Sequence, residues 1–140
     1  MIEKFHYYLD EHLARKVKVD REEAKSLMTK AVLRLSYIKK QEINEDTSSF
    51  IFEDIYETLR EAAQSLMSLK GYKPYSHEAL ISFLKEFYQF PEYEISSFDR
   101  YRILRNKTVY CVANVSPEVC KAALEFSETF LPKRGVCANG

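Results

Sequence analysis

Apolar residues recur along this chain at the three- and four-residue spacing of amphipathic helices, and no useful length of it alternates as a strand does. The pattern predicts five or six helices joined by short loops. Their apolar stripes run over residues 2–13, 24–38, 52–69, 80–87 and 119–130, with a further helix from residue 91 through 110. An all-α, up-and-down helical bundle is the fold class that such a pattern predicts.

Capping and helix-breaking residues stand at the ends of these predicted helices. Asp20 followed by Glu23 is a capping-box pattern, in which each side chain satisfies an orphan backbone N–H. Ser76 suits an N-cap, and Gly71 stands where a left-handed residue is favoured after the third helix. Pro132 is predicted to end the last helix.

The length of 140 residues favours one domain. We predict a single bundle over residues 1–132 and a flexible C-terminal tail over residues 133–140. With 46% hydrophobic and 30% charged residues, the composition is globular and not disordered. No signal peptide and no apolar run of about 18 residues is visible, so no membrane span is predicted.

Charge is balanced over the whole chain but not along it. Lys and Arg total 21 and Asp and Glu total 21, so a whole-protein attraction to nucleic acid or to a membrane is excluded. Residues 42–61 are strongly acidic, whereas residues 100–107 carry four basic residues and no acidic one. Such asymmetry suits self-association or a polar cleft, and it also occurs on ordinary solvated helices.

The cysteines and histidines show no ligand spacing. Cys111, Cys120 and Cys137 are odd in number and contain no C-x-x-C motif, and His77 is far in sequence from His6 and His12. The simplest interpretation is a cytoplasmic protein with reduced thiols and without a metal or another cofactor.

The basic segment belongs to a predicted helix with a distinctive polar arc. At about 100° per residue, Arg102, Arg105, Asn106 and Tyr110 share an arc that the core does not need. Two guanidiniums beside a carboxamide and a phenol suit a phosphate group, and the phenol also offers a plane for a base. Arg102, Arg105 and Lys107 are therefore the predicted phosphate-binding residues, although an ordinary solvated face has the same composition.

Four stretches give the chain a resemblance to a known family. They are "FEDIYETLREAAQSL", "GYKPYSHEALISFL", "LRNKTVY" and "SPEVCKAALEF". Together with the helix pattern they resemble the HEPN family, in particular its short stand-alone prokaryotic members. The signature of that family is an Arg, usually followed by a polar residue, and a His a few residues later. Here Arg105 and Asn106 match the first two positions, and Tyr110 stands in the place of the His.

This resemblance implies a HEPN-like five-helix bundle that forms a homodimer, with two signature helices facing each other. Such a dimer forms a composite, metal-independent endoribonuclease site. Carried onto this sequence, Arg105 would hold the scissile phosphate and Asn106 would orient it. Tyr110 would occupy the position of the catalytic His.

The replacement of that His by Tyr110 changes the expected chemistry. A histidine titrates near neutral pH, whereas a phenol has an ordinary pKa of about 10 and is a weak base at pH 7. RNA binding therefore survives the replacement more readily than cleavage does. The family also has a second, modifiable tyrosine two places further on, where this chain has Val112, so regulation by nucleotidylation of that tyrosine is not expected.

Two further groups of residues were considered for the site. Glu53, Glu57 and Arg60 share one face of the third helix, so they are predicted either to line the dimer cleft or to form an ordinary intrahelical pair. His77 follows Ser76 in the first turn of the fourth helix, and we interpret it as a surface or interface residue and not as a metal ligand.

Two functions from different classes follow. The leading one is a HEPN-type homodimer that binds RNA or a nucleotide phosphate, with weakened toxin-like endoribonuclease activity. The alternative is a non-catalytic partner of a minimal nucleotidyltransferase, which would dock on the acidic third helix and the basic first forty residues. A di-metal carboxylate bundle would need Glu-x-x-His pairs, and the sequence has none.

Overall fold

A computed structural model describes residues 2–110 and 113–139 of the chain, and for residues 132–139 it describes the backbone alone. Within these residues the chain forms six helices and two short strands. The helices are α1 (Phe5–Asp10), α2 (Arg21–Ile38), α3 (Ser48–Lys70), α4 (His77–Phe87), α5 (Glu92–Tyr110) and α6 (Pro117–Asn139), and the strands are β1 (Ala14–Lys16) and β2 (Tyr72–Pro74). The predicted all-α class is confirmed, apart from this small sheet.

The central helix is α3, and the other long helices pack around it. The apolar stripe predicted from Phe52 to Leu69 is buried there as far as Leu66, and Leu69 at its end is partly buried. α2 runs antiparallel to α3, as two contacts show. Ala24 near the start of α2 accepts through its carbonyl oxygen from Ser65 Oγ near the end of α3, and Arg34 near the end of α2 contacts Asp54 near the start of α3. α4, α5 and α6 cover the remaining sides of α3.

The first helix is shorter than predicted, because the chain leaves α1 to form a strand. His12 adopts a left-handed backbone conformation with φ of 59°, and β1 then pairs antiparallel with β2, with Ala14 opposite Pro74. Three-residue strands are too short to show alternation, so the sequence pattern could not predict them. The pairing holds the N-terminal segment against the connection between α3 and α4.

The predicted Asp20 and Ser76 caps are confirmed, but the reciprocal half of the capping box does not form, because the Glu23 carboxylate accepts from Ser68 Oγ and the backbone N–H of Asp20 donates to the carbonyl oxygen of Ser68. Asp20 accepts a hydrogen bond from the backbone N–H of Glu23, and Ser76 Oγ accepts one from Ala79. Gly71 ends α3 with φ of 79°. A Cβ at Gly71 would lie 2.7 Å from the carbonyl oxygen of Val17, so a glycine is needed there both for its conformation and for the approach of the strand.

The end of the last helix differs from the prediction. α6 continues past Pro132 to Asn139, so the predicted end of the last helix at Pro132 is wrong and the backbone of residues 133–139 is helical. A helix can continue past a proline with the loss of one backbone hydrogen bond. Cys111, Val112 and Gly140 lie outside the described residues. No helix in the described part of the chain is both long and apolar enough to cross a membrane.

Candidate functional site

Arg105 lies beside a buried tyrosine of α3. Two aromatic residues of α5, Phe98 and Tyr101, are buried, and their rings meet the rings of Tyr56 and Phe52 on α3. Arg105 follows Tyr101 by one turn on the same side of the helix, and its guanidinium carbon lies 6.0 Å from the centroid of the Tyr56 ring. The packing of α5 against α3 therefore fixes the position of this arginine.

His77, the first residue of α4, contacts the same tyrosine. The two rings are nearly parallel, with 3° between their planes and 5.4 Å between their centroids. The Tyr56 hydroxyl lies 2.8 Å from Nδ1 of His77. The imidazole is partly buried. The sequence predicted a surface or interface position for His77 and did not predict this contact.

Arg60 and Glu57 form the intrahelical pair that was one of the two predictions for them. The Arg60 Nε lies 3.0 Å from one carboxylate oxygen of Glu57 and 3.1 Å from the other, and a second guanidinium nitrogen donates to Gln64. Burial raises the pKa of the Glu57 carboxyl, but the hydrogen bond and charge of Arg60 outweigh burial and lower it, with a smaller contribution from Arg105. Glu57 therefore stays ionised beside α5.

Arg102 is held by carboxylates of its own chain. Its Nε lies 2.7 Å from Oδ1 of Asp99, and a terminal nitrogen lies 3.7 Å from Oε1 of Glu78 at the start of α4. The side chain is only 12% exposed. The sequence predicted that Arg102 lies on an arc of α5 that the core does not need. This prediction is wrong for Arg102, because its guanidinium connects α5 to α4.

The other predicted site residues lie around this region without joining it. Lys107 is exposed and lines a separate apolar groove between α5 and α6, so it lies apart from the Tyr56 ring. Asn106 is partly exposed, and Tyr110 is 74% exposed at the end of α5. Glu53 is partly buried on α3, and within residues 2–110 and 113–139 it forms no ion pair.

We call Tyr56, Glu57, Arg60, His77 and Arg105 the Tyr56 cluster. It is built from α3, α4 and α5 of a single chain. A cavity of about 200 Å³ opens beside it. The lining residues are Arg60, Gln64, Pro74, Tyr75, Ser76, His77 and Leu80.

The charges around the cluster make it positive. Burial lowers the pKa of His77 below its ordinary value of 6.5, and the charges of Arg105, Arg60 and Arg102 lower it further, whereas Glu57 raises it. The imidazole is therefore neutral at pH 7. Burial disfavours a charge of either sign, but the part of the shift that comes from the arginine charges favours an anion at the same place.

No group of three or more His, Cys, Asp or Glu side chains lies close enough to hold a metal ion in the part of the chain that the structure describes. Cys120 is a free, fully buried thiol on α6, and burial raises its pKa to about 11. It is therefore a packing residue and not a nucleophile.

A scan of the sequence against models of known protein families finds no match, and a search of curated proteins finds none either.

Sequence reasoning missed the two residues at the centre of the cluster. Tyr56 follows Phe52 by four residues on a helix face assigned to the core, and it is indeed buried. His77 carries no spacing relation to Arg105 that a sequence pattern could report. The only available signal was its position directly after the Ser76 cap, which places it at the start of α4.

Proposed function

We propose that this protein binds RNA through its phosphate groups at the Tyr56 cluster, with Arg105 as the principal phosphate-binding residue. The observation that carries the proposal is that the Arg105 guanidinium forms no ion pair among the described residues, although it is partly buried against a tyrosine ring. Arg60 and Arg102, which lie nearby, are both paired with carboxylates.

A guanidinium beside an aromatic ring and without an ion-pair partner among the described residues suits a phosphate. Its planar set of donors binds two phosphate oxygens at once, and a partly desolvated site strengthens each charge-assisted hydrogen bond. Asn106, the next residue along α5, is available to add a neutral donor. The HEPN resemblance adds RNA as the source of the phosphate, and it also supplies the HEPN-like fold to the proposal.

Cleavage of the bound RNA is a weakened activity in this proposal. Tyr110 is mostly exposed, and among the described residues no hydrogen bond reaches its hydroxyl. A phenol without a partner that accepts its proton is a poor general base at neutral pH. RNA binding is therefore the function that the cluster supports best.

The first prediction concerns Arg105→Ala. We expect the dissociation constant for a single-stranded RNA to rise about tenfold or more, since one charge-assisted contact contributes about 1.5 kcal/mol. The slope of affinity against salt concentration should fall by about one ion. Calorimetric titration at several salt concentrations measures both.

Arg100→Ala is the matched control, because it removes the same charge from an exposed position of α5 that lines the groove toward α6. We expect less than about a twofold change for it. Equal losses for both variants would mean that RNA is attracted by general charge and not by the cluster. Failure of the unaltered protein to bind RNA would overturn the proposal and favour the nucleotidyltransferase partnership.

The homodimer rests on the HEPN resemblance alone. We expect light scattering to give a mass twice the 16.5 kDa of one chain. Val109 and Tyr110, at the end of α5, are 42% and 74% exposed, and they belong to the signature helix that the resemblance places in the interface. Replacing both by Asp should then give monomers, and a monomeric mass for the unaltered chain at all concentrations would contradict the dimer.

A further inference from the structure

The contact between Tyr56 and His77 determines which nitrogen of the imidazole carries the proton. Tyr56 is 1% exposed, and its hydroxyl has no other hydrogen-bond partner among the described residues. Burial raises the pKa of Tyr56 well above its ordinary value of 10, so the hydroxyl keeps its proton. A buried hydroxyl that keeps its proton is expected to donate it, and among the described residues the acceptor within reach is Nδ1 of His77.

A neutral imidazole that accepts at Nδ1 carries its proton on Nε2. His77 is neutral at pH 7, as described above, and it lines the cavity of about 200 Å³. Among the described residues no hydrogen bond is made by Nε2. His77 therefore has one N–H donor without a protein partner, and stacking on Tyr56 fixes the plane in which that donor lies.

The cavity has the size and the charges of a phosphate site. Pockets for drug-sized molecules have volumes of about 300–1,000 Å³, so this one suits a phosphate better than a whole nucleotide. On the α3 side, Arg60 lines it and is paired with Glu57. On the α5 side, Arg105 contributes an unpaired positive charge that acts on His77, while Arg102 is shared by Asp99 and Glu78.

We propose that His77 binds a non-bridging oxygen of an RNA phosphate through its Nε2–H, in the cavity beside Arg60, and so forms a second phosphate subsite next to Arg105. The inference rests on the proposed RNA binding and assigns a residue that the family signature does not contain. In this proposal His77 acts as a hydrogen-bond donor. In this tautomer Nε2 has no lone pair for a proton, so His77 binds RNA and does not replace the missing catalytic base.

A phosphodiester beside His77 makes the binding depend on pH in a defined direction. Without RNA the pKa of His77 lies below 6.5, and the negative charge of a bound phosphate raises it. Between those two values the protein takes up a proton when RNA binds; this proton goes to Nδ1, which then donates to the Tyr56 hydroxyl oxygen instead of accepting from it. Affinity must therefore increase as the pH falls through this window and level off below it.

The experiment is a calorimetric titration of the full chain with an unlabelled oligouridine of about ten nucleotides, repeated from about pH 8 to about pH 5. The phosphodiester keeps one negative charge over this range, so the RNA backbone does not titrate. We expect the unaltered protein to bind about three- to tenfold more tightly at the acidic end. H77Q should bind with the same affinity throughout and more weakly than the unaltered protein at acidic pH.

His6→Gln is the matched control, since it makes the same substitution at an exposed histidine of α1. It should keep the full pH dependence. Affinity that rises at low pH in H77Q as well would assign the effect to another group and overturn the inference. RNA binding that depends on Arg105 but not on pH would overturn the inference and leave the proposed function standing, whereas the absence of any RNA binding would remove both.

The tautomer itself can be read independently of RNA. Long-range proton–nitrogen NMR spectra of the free protein at about pH 8 distinguish the two neutral forms of a histidine. We expect the proton of His77 on Nε2. Tyr56→Phe removes the hydroxyl that bonds to Nδ1 and should abolish the preference for this tautomer. A proton on Nδ1 in the unaltered protein would overturn the donor role and make Nε2 available as a base.

Discussion

Phe83→Ala is expected to lower the free energy of unfolding by about 3–5 kcal/mol, measured by denaturant titration. Phe83 is completely buried on α4, where its ring stacks on Phe87 at 4.5 Å and meets the edge of Phe5 at 5.6 Å. The ring of Tyr72, from β2, lies 5.9 Å away. The substitution therefore opens a cavity where α1, β2 and α4 meet.

Phe87→Ala provides the comparison for this prediction. It removes the same ring one turn further along α4, but Phe87 is 41% exposed, so less apolar surface returns to water. We expect a loss of about 1–2 kcal/mol. Losses of equal size would mean that α1 detaches from α4 when either ring is removed, and the aromatic contacts would then act as one unit.

Arg34→Met is expected to lower the free energy of unfolding by about 3 kcal/mol, because it leaves a buried carboxylate without its principal partner. Glu61 is 1% exposed in the middle of α3. The Nε of Arg34, on α2, lies 2.9 Å from one of its oxygens, and a terminal nitrogen lies 3.3 Å from the other. Thermal and denaturant unfolding of the variant measure the loss.

Two further variants test the explanation for Arg34. Lys30 also faces Glu61, at 3.6 Å, but its side chain is 67% exposed, so Lys30→Met should lower stability by less than about 1 kcal/mol. In the double variant Arg34→Met/Glu61→Leu, both charges are replaced by apolar groups and most of the loss should be regained. A double variant as unstable as Arg34→Met alone would show that the arginine acts through packing and not through its charge.

Local signals in the sequence were sufficient to predict most of the helices. The Asp20 and Ser76 caps and the left-handed Gly71 act over three or four residues, so a short pattern contains all the information that they need. The end of α1 and the formation of β1 depend instead on pairing between Ala14 and Pro74, which are sixty residues apart. No periodicity along the chain reports such a pairing.

The features of the candidate site also differ in whether the sequence could predict them. Arg105 could be named as a candidate from its own helix and from the family resemblance, but whether it forms an ion pair could not be predicted. Whether an arginine is free or paired depends on carboxylates that approach in three dimensions, as the contact between Arg102 and Glu78 illustrates. The contact of His77 with Tyr56 joins α4 to α3, and neither residue has a neighbour in sequence that indicates it.

The construction of the Tyr56 cluster from α3, α4 and α5 of one polypeptide has a consequence for stoichiometry and dilution. A composite site shared by two chains disappears when a dimer dissociates, so its capacity falls with the square of the concentration at high dilution. Each chain contains its own complete Tyr56 cluster. We therefore expect one RNA phosphate segment per polypeptide, and a capacity that stays proportional to total protein however far the sample is diluted.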